Sequence, residues 1–198
     1  MGAAREEFPL PKRNPIFKYI GSKARLAPLI ARLLPDHECY VEVFGGTASV
    51  LVVKPRSPVE VYNDINEDLV NFFRVLRDRP WELVAAVMLT PYSRAIYEEV
   101  RKRDLSQLDP VLRAAMFFYR QNASTSGFKS GFSVSPRPDE KKAWEYLNKV
   151  ISLVEFSNRF FGVIIECLDF RDVIKRYDRP GTVSVSYTHL TLPTTERV

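Results

Sequence analysis

The sequence predicts an α/β protein built on an open, Rossmann-like parallel sheet, with a helical insertion between its strands. Three observations predict it. A β-branched and aromatic run, CYVEVFGG at 39–46, ends in two glycines and leads into a helix-opening segment, TASVLVVK, and then a second strand, VEVYNDI. From about residue 80 to 160 the periodicity is helical, with no strand between. The short apolar strand GVIIECLDF, from Gly162, then resumes the sheet. Strand, glycine turn, helix, strand is the first half of a doubly wound sheet.

Taken in order, GSKARLAPLIARLLP carries a helical stripe of Leu26, Leu29, Ile30, Leu33 and Leu34 that Pro35 ends. After the two strands, NEDLVNFFRVLRD is a helix whose acidic first turn suits the positive end of its dipole. Helical patterns fill 80–103 and 109–124, a turn-rich segment STSGFKSGFSVSPRPDEKKAW follows, and AWEYLNKVISLVEFSNRF is a further helix. The Gly, Ser and Pro segment reads as a mobile loop on the insertion. Beyond GVIIECLDF comes the helix RDVIKRYD, and another strand is expected near Gly181. Residues 1–79 are thus expected to open the sheet domain, 80–160 to form the helical insertion, and 161–182 to return to the sheet.

Composition bounds the function. At 198 residues and 45% hydrophobic, the chain can bury the core of one domain. Its 29 basic and 24 acidic residues leave a net charge of +5, a weak tilt toward an anionic partner such as nucleic acid. Cys39 and Cys167 lie far apart, and His37 and His189 are too few for a His-rich site, so no metal centre is expected. No run approaches a membrane span and the N-terminus has no apolar signal core, so a soluble, cytoplasmic protein is expected.

The chemistry concentrates at YVEVFGGTAS. Gly45 and Gly46 let the backbone turn sharply and a ligand approach without a Cβ in the way. The three spaced glycines of a dinucleotide fingerprint are absent. Asp64, about 20 residues on at the end of the next strand, can accept hydrogen bonds from ribose hydroxyls. Glu42, just before the turn, suits a ligand with an ammonium group better than a pyrophosphate, pointing away from NAD and toward S-adenosylmethionine.

FKYIGSKARL, YVEVFGGTASVLV and VYNDIN, in that order, closely resemble the N-terminal half of the Dam-like class of adenine-specific (N6) DNA methyltransferases, over residues 15 to 182. The resemblance implies a Rossmann-like S-adenosylmethionine-dependent methyltransferase sheet with a helical target-recognition insertion, double-stranded DNA as partner, and no metal. It implies that Lys18, Tyr19, Gly21 and Lys23 close over the methionine part of the cofactor. Glu42, Val43, Phe44, Gly45 and Gly46 would form the loop beneath it, Asp64 and Ile65 the ribose and adenine contacts, and Asp169 and Phe170 a flank for the adenine. In YRQNASTSGFKSGF and beyond, Arg120, Asn122, Lys129 and Arg137 become candidates for DNA contact, the charged ones chiefly for phosphate. Other readings stand beside these. Asp64 or Asn66 can cap the helix at 67, Asp169 can cap the helix at 171, Phe44 can pack the core, and the basic residues can be solvated.

The family's catalytic Asp-Pro-Pro-Tyr, which holds the flipped adenine and accepts from its N6, is absent from the 198 residues. Where it is expected the chain reads RPGTVSVSYTHLTLPTTERV, and SYTHLTLPT resembles a spurious ending that recurs on reading frames from assembled metagenomes. The sheet is therefore expected to be incomplete, residues 183–198 artefactual, the fragment poorly stable at its unpaired sheet edge, and the chain inactive although its family methylates adenine in DNA. The rival expectation is a non-catalytic DNA-binding module that retains the cofactor fold as a relic.

Overall fold

A computed structural model describes residues 16–126 and 130–186. Lys129 and the tail 187–198 lie outside the described residues, as do residues 1–15. The sheet has four parallel strands, β1 (Cys39–Glu42), β2 (Val59–Asn63), β3 (Ile164–Glu166) and β4 (Thr182–Val185), in the order β3-β2-β1-β4. The strand expected near Gly181 is β4, which pairs Cys39 with Thr182 and Glu42 with Val185. The chain adds β2 and β3 to one side of β1 and then crosses to its other side. The carboxyl end of β1 is therefore a topological switch point, where open α/β sheets bind ligands.

Helix α1 (Ala27–Leu33) precedes the sheet, and α2 (Ser49–Val53) follows β1. The helix α3 (Glu67–Asp78) begins where the sequence places it, because the Asn66 side chain accepts from the backbone N–H groups of Asp68 and Leu69. Between β2 and β3 the remaining elements are helical: α4 (Pro80–Met88), α5 (Arg94–Lys102), α6 (Pro110–Asn122) and α7 (Lys142–Phe160), with α8 (Phe170–Tyr177) after β3. One isolated antiparallel bridge, Ser124 to Phe132, closes the loop after α6.

The period-two alternation of the strands sorts their side chains between two cores. Val41, Val43 and Val61 face α8 through Val173, while Tyr40 and Tyr62 face α3 and the helices stacked on it. That larger core is aromatic. Phe17 sits edge-on to Phe72 at 5.2 Å and to Phe117 at 5.5 Å, and Phe73 stacks on Phe160 at 4.7 Å. The α4–α7 insertion thus shares one continuous core with the sheet. It is also fastened by charge: Glu60 on β2 receives Arg159 of α7 at 2.6 and 2.7 Å and Lys54 at 2.5 Å, all three buried.

Candidate cofactor site

Phe17 is fully buried between α3 and α6, and the segment after it is thereby held across the carboxyl end of β1. A cavity of about 200 Å³ lies between that segment and the glycine turn, lined by Tyr19, Ile20, Gly21, Ser22, Lys23, Phe44, Gly45, Gly46, Thr47, Ser49 and Asp64. Seven of the residues singled out in the sequence meet here: Tyr19, Gly21, Lys23, Phe44, Gly45, Gly46 and Asp64.

The two glycines serve different ends. Gly45 is packed against the Tyr62 ring so closely that a Cβ would fall 2.1 Å from Cε2, so the position admits no side chain. Gly46 turns with φ +50°, and a Cβ there would meet nothing within 4 Å, which leaves its backbone open to a ligand. The turn is locked from outside. Tyr62 donates its hydroxyl to the Gly46 carbonyl at 2.9 Å, Gly45 N–H donates to the Asn63 carbonyl at 2.7 Å, and Ala48, left-handed at φ 53°, donates to the Gly45 carbonyl at 2.8 Å.

Asp64 holds the turn as well as facing the cavity. Its Oδ2 accepts from Gly46 N–H and its Oδ1 from Asn66 N–H, both at 2.9 Å. A carboxylate has about four acceptor sites, so lone pairs remain for the hydroxyls of a ribose. Asn66, not Asp64, caps α3. Tyr19 is joined to the same corner, accepting from Asn66 Nδ2 at 3.3 Å, and its hydroxyl pKa is raised by burial and by the neighbouring Asp64 charge.

The remaining expected contacts lie around the cavity rather than in its wall. Glu42 is fully buried at the end of β1, in register with Tyr62. The Val43 side chain belongs to the core under α8, and its carbonyl accepts from Asn63 Nδ2 at 2.9 Å. Ile65 is 69% exposed next to Asp64, and Phe170, 37% exposed, lies 5.7 Å between ring centroids from Phe44, which lines the cavity. Asp169 accepts from Arg171 N–H and caps α8. The 168–170 segment is held in place by Asn63, whose side-chain amide exchanges two hydrogen bonds with the Leu168 backbone, at 2.9 and 3.1 Å.

Lys18 turns away from the cavity. Its Nζ donates to the Ser124 carbonyl at 2.8 Å, tying the segment to the insertion, and burial followed by the nearby Lys142 charge lowers its pKa. Of the residues considered for DNA, Arg120 bonds Asp68 of α3 at 3.2 Å and is largely covered. Asn122 is buried, donating to the Phe118 carbonyl and accepting from Lys149, whose pKa burial lowers to about 8. Arg137 is exposed beside Glu140 and lines a groove with Val134, Lys141, Lys142 and Trp144. The sequence reading missed Ile20, Ser22, Thr47 and Ser49, of which the last three carry hydroxyls into the cavity wall.

This wall fits a ligand that combines a ribose, a flat apolar ring and a polar end. A carboxylate stands ready for a diol, the exposed Phe44–Phe170 pair for the ring, and open glycine backbone with hydroxyls for the rest. No cluster of His, Cys, Asp and Glu able to hold a metal occurs among the described residues. Nor is any described helix long and apolar enough to cross a membrane.

A family model described as D12 class N6 adenine-specific DNA methyltransferase matches residues 19–183. The DNA adenine methylase of Escherichia coli (strain K12) is 30% identical over 182 residues, covering 87% of this chain and 64% of that protein. That of Salmonella typhi is 27% identical over 186 residues with the same coverage, and a type II methyltransferase of Lactococcus lactis subsp. cremoris is 30% identical over 124 residues, 58% of this chain and 42% of that protein. The chain thus spans 64% of the length of the DNA adenine methylases from Escherichia coli and Salmonella typhi.

Proposed function

Because the chain belongs to the D12 class of N6 adenine-specific DNA methyltransferases, we propose that it is the cofactor-binding and DNA-recognising portion of an S-adenosylmethionine-dependent DNA adenine-N6 methyltransferase. One observation carries the reading: the cavity at the switch point of β1 joins Asp64, the open backbone of Gly46 and the Tyr19–Lys23 segment in one wall. When bound, S-adenosylmethionine supplies a methyl group on a sulfonium sulfur. Asp64 would accept from the ribose hydroxyls, its carboxylate already held in place by its two backbone bonds. Phe44, Ile65 and Phe170 would flank the adenine and shield it from water.

Double-stranded DNA is the proposed substrate. The groove beside Arg137, Lys141 and Lys142, with Trp144 and Val134 exposed on the same insertion, offers cations for phosphates and apolar surface for bases. Arg120 and Asn122 act in this reading by fixing the shape of α6, each through its own intramolecular partner.

The 198 residues contain no Asp-Pro-Pro-Tyr, the motif that accepts from the adenine N6 in the family this chain resembles. We expect it to bind cofactor without transferring methyl groups. Titration calorimetry with S-adenosylhomocysteine, alongside a labelled-methyl assay on adenine-containing duplexes, tests both halves. Binding without transfer supports the reading. Retention of duplex DNA with no nucleoside binding would leave a DNA-binding module instead.

A further inference from the structure

Arg94 opens α5 on the helical insertion, and its guanidinium carbon lies 5.2 Å from the centroid of the Phe132 ring. Phe132 is 9% exposed and lines the groove that also holds Arg137, Lys141, Lys142 and Trp144. The stack therefore carries the basic rim of that groove onto α5.

Both halves of the stack are held from behind. Phe132 bridges to Ser124, Ser133 N–H donates to the Ala123 carbonyl at 2.7 Å, and Tyr92 donates its hydroxyl to the Ser133 carbonyl at 2.6 Å. Buried Tyr97 donates in the same way to the Ser130 carbonyl. On the other side, the Tyr119 hydroxyl accepts from Ser93 N–H at 2.9 Å and lies 2.8 Å from the Ser93 carbonyl, so the residue before Arg94 is fixed to α6. The exposed guanidinium thus stands on a rigid base.

Other cations of the insertion are already paired. Arg137 meets Glu140 at 3.1 Å, Lys142 meets Glu145 at 3.2 Å, and Arg101 meets Glu98 at 2.8 Å. Among the described residues no carboxylate pairs with Arg94. Nor does its charge serve α5, since the first turn of that helix holds no acidic residue and a cation at the positive end of a helix dipole is unfavourable. Stacking occupies the flat face of a guanidinium and leaves the N–H groups around its edge free, in a fork that matches a phosphate. We propose that Arg94, stacked on Phe132, anchors a backbone phosphate of duplex DNA beside the groove. The inference rests on the DNA reading given above. Val134 and Trp144 line the groove and offer the apolar surface for bases, whereas Arg94 stands outside that lining, where the backbone would pass.

The test reads salt dependence, which counts phosphate contacts. Duplexes of one length and several sequences are titrated with the wild-type chain, Arg94→Gln and Arg94→Lys over a range of salt concentrations by fluorescence anisotropy, and melting curves are recorded to verify folding. Each phosphate neutralised contributes about 0.9 to the slope of log affinity against log salt. Arg94→Gln should therefore lower that slope by about 0.9 and weaken binding about tenfold at low salt, by the same factor on every duplex. Arg94→Lys should keep the slope and lose about threefold in affinity, because an ammonium offers neither a stacking plane nor a fork. An unchanged slope for Arg94→Gln, or a loss confined to one sequence, would overturn the inference while leaving the DNA reading intact. Failure of the wild-type chain to bind any duplex would overturn the DNA reading itself, and the inference with it. Arg94→Met, which keeps packing on the Phe132 ring without the charge, keeps the comparison decisive should Arg94→Gln unfold.

Discussion

The Tyr62 ring fills the space into which a side chain at Gly45 would project, with an added Cβ only 2.1 Å from Cε2 and 2.7 Å from Cζ. Tyr62 cannot swing aside, because it is fully buried, lies 4.6 Å from the Phe73 ring centroid, and donates its hydroxyl to Gly46. Gly45→Ala should therefore lower stability by about 3 kcal/mol, the upper range for overpacking a core. Chemical denaturation measures it. In a double-mutant cycle with Tyr62→Leu the cost of the added methyl group should shrink, and an unchanged cost would show that the collision is not with this ring.

Asn63 predicts a failure that reaches the cavity mouth from beneath. Its Nδ2 donates to the carbonyls of Val43 and Leu168, and its Oδ1 accepts from Leu168 N–H, at a position 1% exposed. Asn63→Asp replaces the donating group by an oxygen facing two carbonyls in a buried site. The expected loss is about 3 kcal/mol, as for other buried polar groups stripped of their partners. Because Leu168 precedes Asp169 and Phe170, hydrogen exchange should also quicken at the start of α8. Protection there equal to wild type would mean that Asn63 does not hold this segment.

The buried ion network gives a pH dependence with a definite sign. Burial alone would raise the Glu60 pKa, but hydrogen bonds from Arg159 and Lys54 outweigh it, and the folded value lies below the ordinary 4.5. Such a carboxylate contributes stability that is fully present above its unfolded pKa and is lost as pH falls through the folded one. Melting midpoints of the wild-type chain should drop as pH is lowered below about 4.5, where the unfolded chain takes up the proton. Glu60→Gln should flatten that drop. At neutral pH it should cost about 3 kcal/mol, because Arg159 and Lys54 are left buried without their counter-charge.

The parts of this molecule legible in its sequence are those with local causes. The strand–glycine turn, the Asn66 cap and the helical run of α3 announce themselves within a few residues, and Asp64 is placed by its distance from the turn. The strand order was legible only as half of a doubly wound sheet, because the place of β4 beside β1 depends on a crossover made only after the long helical insertion between β2 and β3. Side-chain partners across that distance left no local signal. Arg120 and Asn122 look like an exposed basic patch until α6 is packed on α3 and α7, where Asp68 and Lys149 meet them. Ser22, Thr47 and Ser49 carried no signal for the opposite reason: small hydroxyl residues are common in every turn, and only folding brings these three within hydrogen-bond reach.

The bond from Arg159 to Glu60 sets the terms on which the insertion can be exchanged. On the proposed reading the insertion is the recognition region, a unit attractive for grafting from one relative to another. In this chain the last turn of α7 supplies the guanidinium that neutralises a carboxylate on the second strand. A graft cut before Arg159 keeps that pairing, and a graft that includes α7 must bring an arginine to the same place. Unless the donor supplies that arginine, the seam of a viable chimera therefore lies inside the helix, several residues from where the strand pattern alone would put it.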